Sequence, residues 1–184
     1  MSKRVLVAIA DGVEEVETTS IVDVLRRAGA DLVVASVQER LEITAAHGFK
    51  FVADQPITRC VEETYDLVVL PGGMPGAENL RDSAPLADIL KRQAASGRLF
   101  GAICASPAVV LHHHGLIGNR RATAYPGFSD QLPNQEAVDA RVVVDGNCVT
   151  SKGPGTALEF ALKLVELLYG EAKAREIATQ MLVK

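Results

Sequence analysis

The sequence predicts an α/β fold, a mostly parallel central sheet with helices on both faces. Three observations carry that reading. Short apolar runs rich in β-branched residues recur along the chain, as they do where strands are buried on both faces. Between them lie longer segments whose apolar residues return at helical spacing, the period of a helix with one face inward. Glycines stand where those helical segments should stop, since glycine is the favoured residue just past a helix C-terminus. Strand and helix in alternation is the pattern of a parallel sheet joined by crossover helices.

Residues 5–10 are the first predicted strand. The segment 14–28 is the first helix, with Val13, Val16, Ile21, Val24, Leu25 and Ala28 at roughly helical spacing and Gly29 as its stop. Residues 32–37 follow as the second strand. Residues 41–57 break the alternation, because Leu41-Glu42-Ile43 and Phe49-Lys50-Phe51-Val52 lie around Gly48 as in a small antiparallel excursion. Residues 67–70 are the third strand, 84–95 a helix with Leu86, Ile89 and Leu90 inward and Gly97 as stop, and 99–103 the fourth strand. Residues 141–144 and 148–150 flank Asp145-Gly146-Asn147, a hairpin signal. Residues 154–168 form a strong helix with Ala157, Phe160, Ala161, Leu164, Val165 and Leu168 on one face. No repeat, low-complexity tract or linker interrupts the chain, so residues 1–184 are expected to form a single domain.

Composition narrows the class of function. A hydrophobic content of 48% over 184 residues is ample for one sizeable core,. Nineteen basic against 23 acidic side chains leave a net charge of −4 with no basic stripe, so nucleic acid is not an expected partner. The apolar run after Met1-Ser2-Lys3-Arg4 is too short for a secretory signal or a membrane span,. Cys60, Cys104 and Cys148 are odd in number and widely spaced, which suits reduced thiols in a cytoplasm.

Ligands of open parallel sheets bind beyond the carboxyl ends of the strands, and three predicted strands end in unusual loops. The first is Asp11-Gly12-Val13-Glu14-Glu15-Val16-Glu17, with Glu14 and Glu17 on one helical face,. First-turn glutamates also have a plain reading, as solvated residues that suit the helix dipole. The second loop is Leu70-Pro71-Gly72-Gly73-Met74-Pro75-Gly76, where paired glycines let backbone N–H groups approach a ligand, or simply make a turn. The third turns from strand to helix at Cys104, with the small residues Ala102 and Ser106 two positions to either side. A nucleophile elbow requires small residues there, and a helix N-terminus behind the sulfur favours a thiolate. The other reading is a buried apolar cysteine. His112-His113-His114 do not make a metal site on a helix, because successive side chains point about 100° apart; they read as a helix end or surface feature.

Together, Glu14-Glu15-Val16-Glu17-Thr18, Leu70-Pro71-Gly72-Gly73, Ala102-Ile103-Cys104-Ala105 and Thr150-Ser151-Lys152-Gly153-Pro154-Gly155-Thr156 resemble the ThiJ/PfpI superfamily. The similarity is to the subgroup of the Parkinsonism-associated deglycase and its bacterial homologues, and it covers nearly the whole chain. It implies a flavodoxin-like three-layer sandwich, a homodimer, and no cofactor or metal. By position, Cys104 resembles the reactive thiol and Glu17 the protonated carboxyl that hydrogen-bonds it. Gly73 and Ala105 resemble the backbone donors facing a developing oxyanion, with Gly72, Ser106, Pro126 and Ser151 in support.

The resemblance implies a cofactor-independent glyoxalase or deglycase acting on small dicarbonyls or glycated amines in oxidative-stress protection. The alternative is a redox-sensing protein or chaperone whose cysteine is oxidised to sulfinic acid. Two positions depart from the family pattern: Tyr125 precedes Pro126 where some members carry histidine, and His47 stands where some carry arginine. No histidine follows His114 and Ala105 follows Cys104, so cysteine–histidine amidotransferase and protease chemistries are not supported. Glu17 is then the expected proton carrier.

Overall fold

A computed structural model describes residues 2–183. Its strands are β1 (Arg4–Ile9), β2 (Asp31–Ser36), β3 (Glu42–Thr44), β4 (Lys50–Val52), β5 (Gln55–Pro56), β6 (Leu67–Leu70), β7 (Leu99–Ile103), β8 (Val142–Asp145) and β9 (Cys148–Ser151). Seven of them form one sheet in the order β5-β2-β1-β6-β7-β9-β8. All pairs in it are parallel except the β8–β9 hairpin at the edge. β3 and β4 pair antiparallel outside the sheet, as expected around Gly48. Val5 to Ile9 and all of β6 are fully buried, and burial on both faces is why these strands are apolar without alternation.

The helices are α1 (Glu15–Arg27), α2 (Gly76–Arg81), α3 (Ala84–Ala95), α4 (Ala157–Tyr169) and α5 (Glu171–Gln180). α1 packs on α4 and α4 on α5, while α2 packs on α3 and on the stretch Pro107–His112. Setting aside the two-residue β5, the parallel strands lie in the order second, first, third, fourth, fifth, which is the flavodoxin-like arrangement. Its switch point falls between β1 and β6, where successive connections leave in opposite directions. The loops after β1, β6 and β7 therefore meet at one edge of the sheet.

The structure departs from the sequence reading in the helices. The last predicted helix begins with a 3₁₀ turn, Pro154–Thr156, before α4. The stretch behind Cys104, Pro107–His112, is wound as a π-helix rather than an α-helix. α2, with six residues, is too short to show a period, and α5 buries only Ala174 and Ile177. His112 ends the π-helical stretch, and the His113 and His114 rings meet edge to face at 5.0 Å. His114 Nε2 lies 2.9 Å from the Arg81 carbonyl oxygen, so the histidine run is a helix end.

Candidate active site

Cys104 follows β7 directly and adopts φ 65°, a left-handed conformation that a non-glycine residue holds only when its surroundings impose it. Those surroundings are specific. The Cys104 N–H donates to the Ser151 carbonyl at 3.0 Å, and its own carbonyl accepts the Tyr125 N–H at 2.8 Å. Ser106 Oγ donates to the Pro71 carbonyl at 2.6 Å, which ties the elbow to the loop after β6. Cys104 is left 8% exposed, with the Gly73 and Ala105 N–H groups near enough to its sulfur to favour the thiolate. The expected backbone donors and the cysteine are therefore together.

Gly72 and Gly73 are required by space. A Cβ on Gly72 would lie 2.5 Å from the Cys104 Cβ and 2.7 Å from the Ile103 carbonyl oxygen. A Cβ on Gly73, whose φ is +87°, would lie 2.5 Å from both Glu14 N and the Gly12 carbonyl oxygen. The glycine pair thus lets three loops close on one another. Because backbone rather than a flexible side chain must give way, Gly72→Ala is expected to destabilise the protein by about 2–3 kcal/mol and to displace Cys104. A denaturation midpoint checks the first effect and the rate of Cys104 alkylation the second; an unchanged pair of values would show that the loops yield freely.

Glu17 lies on the first turn of α1 and is fully buried. Its Oε2 accepts the Gly72 N–H at 2.7 Å, whereas Oε1 has no hydrogen-bond partner. Burial pushes its carboxyl from the ordinary 4.5 up to about 7, with the nearby Glu14 charge adding to the rise and the Gly72 N–H opposing it. Glu14 is the N-cap of α1 and accepts the Glu17 N–H at 2.7 Å. At 8% exposure it is not the solvated first-turn glutamate of the sequence reading. Glu15 is also engaged, its Oε2 3.0 Å from His47 Nδ1.

The thiol does not rest in the state that a helix N-terminus alone would favour. Burial first, and the Glu17 carboxylate second, push Cys104 up to about 12, against the pull of the Gly73 and Ala105 N–H groups. A short π-helix contributes little dipole, and desolvation of the charged form outweighs it. The two groups share at most one negative charge, because burial disfavours the ionised form of each and the two anions repel. With the thiol protonated it sits on Glu17; when the thiol proton moves to Glu17, it sits on sulfur facing two amides.

A model of the DJ-1/PfpI family matches residues 3–167. The chain belongs to the DJ-1/PfpI family. Among similar proteins, the DJ-1 homolog B of Arabidopsis thaliana is 48% identical over 98% of this chain and 41% of its own length. The glutathione-independent glyoxalase DJR-1.2 of Caenorhabditis elegans is 37% identical over 89% of this chain and 87% of its own. The solved structure of oxidized Toxoplasma gondii DJ-1 is 50% identical, superposes with a TM-score of 0.96, and covers 98% of both chains. The chain spans 41% of the Arabidopsis homolog B and 47% of the related homolog A.

Within this DJ-1/PfpI chain the supporting positions divide. Ser151 contributes its carbonyl to Cys104, while its hydroxyl donates to the Arg141 carbonyl and lies 2.6 Å from Thr156 Oγ1. Pro126 is exposed and its carbonyl accepts the Ser129 hydroxyl; no hydrogen bond links it to Cys104. Gly153, quoted only within a motif, borders Glu17: a Cβ there would lie 4.0 Å from Oε1 and 3.3 Å from the Tyr125 ring. Cys60 and Cys148 are 0% and 2% exposed. Among the described residues, Glu14, Glu15 and His47 are the group whose ligand atoms could share an ion, lying within 4.8 Å of one another. The Glu15 carboxylate there already accepts the His47 N–H and raises the His47 pKa.

Proposed function

We propose that this chain is a cofactor-independent cysteine enzyme that converts small reactive dicarbonyls, such as methylglyoxal, to hydroxy acids and takes part in oxidative-stress protection. The observation that carries the reading is the meeting of a strained, nearly buried thiol, two backbone donors and an unpartnered carboxyl oxygen. The glyoxalase name of the Caenorhabditis relative supports the same class.

In this mechanism the Cys104 sulfur adds to the aldehyde carbon as its proton passes to the Glu17 carboxylate. The new oxyanion faces the Gly73 and Ala105 N–H groups and takes that proton from Glu17 to give the hemithioacetal, which restores the Glu17 carboxylate. Glu17 carboxylate then removes the proton on the former aldehyde carbon to give an enediol and returns it to the adjacent carbon, while the hydroxyl proton passes to the former ketone oxygen, leaving a thioester of lactic acid. Water hydrolyses the thioester, releasing lactate and restoring the thiol. A carboxyl near pH 7 is matched to giving and taking protons, and donors aimed at the oxyanion contribute on the order of 10²–10³ in rate. On the hemiaminal of a glycated amine, the sulfur displaces the amine from the same carbon, the thiol proton passing through Glu17 to the leaving nitrogen, and the hemithioacetal so formed follows the same course, which gives deglycation. Lactate formation from methylglyoxal tests the reading: turnover above buffer that disappears in Cys104→Ser supports it, and absence of turnover in the parent chain overturns it.

One observation favours a second role for the same thiol. Protonated at Oε1, Glu17 can donate to an oxygen on an oxidised Cys104 sulfur, which would stabilise sulfinic acid. Mild peroxide should then add oxygen mass to Cys104, and addition at Cys60 or Cys148 instead would refute the idea.

The expected homodimer has a candidate face. Val16, Phe49 and Val52 are 53%, 61% and 71% exposed. Val16 and Phe49 line one cleft and Val52 the next, with Thr19 shared between them. Exposed apolar clusters of this kind mark association surfaces, and we propose a second copy of this chain as the occupant. Val52→Asp is expected to shift the sedimenting species from dimer to monomer; an unaltered dimer places the interface elsewhere. No helix among the described residues is long and apolar enough to cross a membrane, and the expected cytoplasmic location stays a proposal.

A further inference from the structure

We infer that Tyr125 is a specificity-determining residue, its ring forming a flat wall at the rim of the Cys104 site that receives a planar side group on the dicarbonyl. The inference rests on the proposed action on dicarbonyls and concerns which of them the site prefers: arylglyoxals over methylglyoxal.

The ring's position follows from the backbone. The Tyr125 N–H donates to the Cys104 carbonyl at 2.8 Å, which anchors the tyrosine beside the elbow. From there the ring lies between two glycines. A Cβ on Gly127 would be 3.8 Å from its Cδ1, and one on Gly153 would be 3.3 Å from its Cδ2. The Gly153 point is also 4.0 Å from Glu17 Oε1. The absence of a side chain at Gly153 thus lets the aromatic ring pack within one residue's breadth of the unpartnered carboxyl oxygen.

Exposure supplies the second argument. Cys104 is 8% exposed and Tyr125 47%. Only the reacting carbonyl end of a substrate can reach the sulfur, so its other end must remain at the rim. A large ring left half in water beside a buried nucleophile has an open surface for stacking, and its hydroxyl makes no hydrogen bond among the described residues. Offset or edge-to-face packing of a second ring there should favour aryl over methyl side groups by about 3- to 10-fold.

The test uses two α-bromoketones that differ only in the side group, phenacyl bromide and bromoacetone, and reads the Cys104 adduct by mass spectrometry. Each rate is divided by the rate of the same reagent with free N-acetylcysteine, which removes intrinsic reactivity. The corrected aryl-to-methyl ratio should exceed unity in the parent chain, persist in Tyr125→Phe, and fall about 3- to 10-fold in Tyr125→Ala. An unchanged ratio in Tyr125→Ala, or an equal loss in Tyr125→Phe, overturns the inference. Alkylation needs only the thiol, so a chain without turnover would sink the enzymatic reading while this ratio still decides the role of Tyr125. With turnover, the alanine variant should raise KM for phenylglyoxal more than it lowers kcat.

Discussion

Cys104→Ser is expected to lower lactate formation from methylglyoxal by about 10³-fold or more while leaving the fold intact. The hydroxyl oxygen takes the sulfur's place, where the Gly73 and Ala105 N–H groups can still meet it. Stability should therefore change by no more than about 1 kcal/mol, or roughly 2–4 °C in midpoint for a chain of this size. What disappears is the nucleophile. A serine hydroxyl attacks only with a base to take its proton, and Glu17 at about 7 is far too weak a base for a neutral alcohol,. No histidine follows His114 to replace it. Native-state labelling gives an independent check, because Cys60 and Cys148 are buried at 0% and 2%. Iodoacetamide should label the parent chain on Cys104 alone and the serine variant not at all. Turnover that survives the substitution would place the chemistry elsewhere.

Glu17→Gln should move stability and activity in opposite directions. The carboxyl rises from 4.5 to about 7 on folding, so the folded state binds the proton more tightly than the unfolded chain. Its stability contribution is complete below about pH 4.5, declines as the unfolded carboxyl ionises, and is lost once pH passes about 7,. The shift corresponds to about 3 kcal/mol. Glutamine keeps the shape and can accept the Gly72 N–H, yet carries no charge to bury. The variant should lose the pH dependence across that window and exceed the parent in stability at pH 8 by up to about 3 kcal/mol. Turnover should fall about 10²- to 10⁴-fold, the usual contribution of a positioned proton carrier. Urea denaturation at several pH values measures the first effect. A glutamine variant that keeps the parent's pH dependence across that window would mean that the native carboxyl is not disfavoured as an anion.

Most strands were legible because burial on both faces leaves an uninterrupted apolar run, as in residues 67–70, where reading and structure coincide. The elbow was legible for a steric reason: Ala102 and Ser106 are small, and the close packing around Cys104 explains why. Glu14 was misread because a first-turn glutamate is usually solvated, and the loops that bury it come from after β6 and from the β3–β4 excursion. Ala46 N–H donates to the Val13 carbonyl and Glu14 N–H to the Gly72 carbonyl, contacts that no local pattern encodes. α5 was missed because it buries too few residues to print a period.

The sequence by itself determined where strands end and which residue types stand at those ends: a cysteine between small neighbours, a glycine pair, and glutamates opening a helix. These follow from steric and periodic rules that act within a few residues. Only the tertiary structure decided where the proton resides. Helix-end reasoning favours a thiolate at Cys104, but burial and the facing Glu17 push the thiol up to about 12 and bring the carboxyl to about 7. Desolvation and Coulomb interaction depend on distance through space. Glu17 and Cys104 belong to different strand-end loops that meet only when the sheet closes its edge.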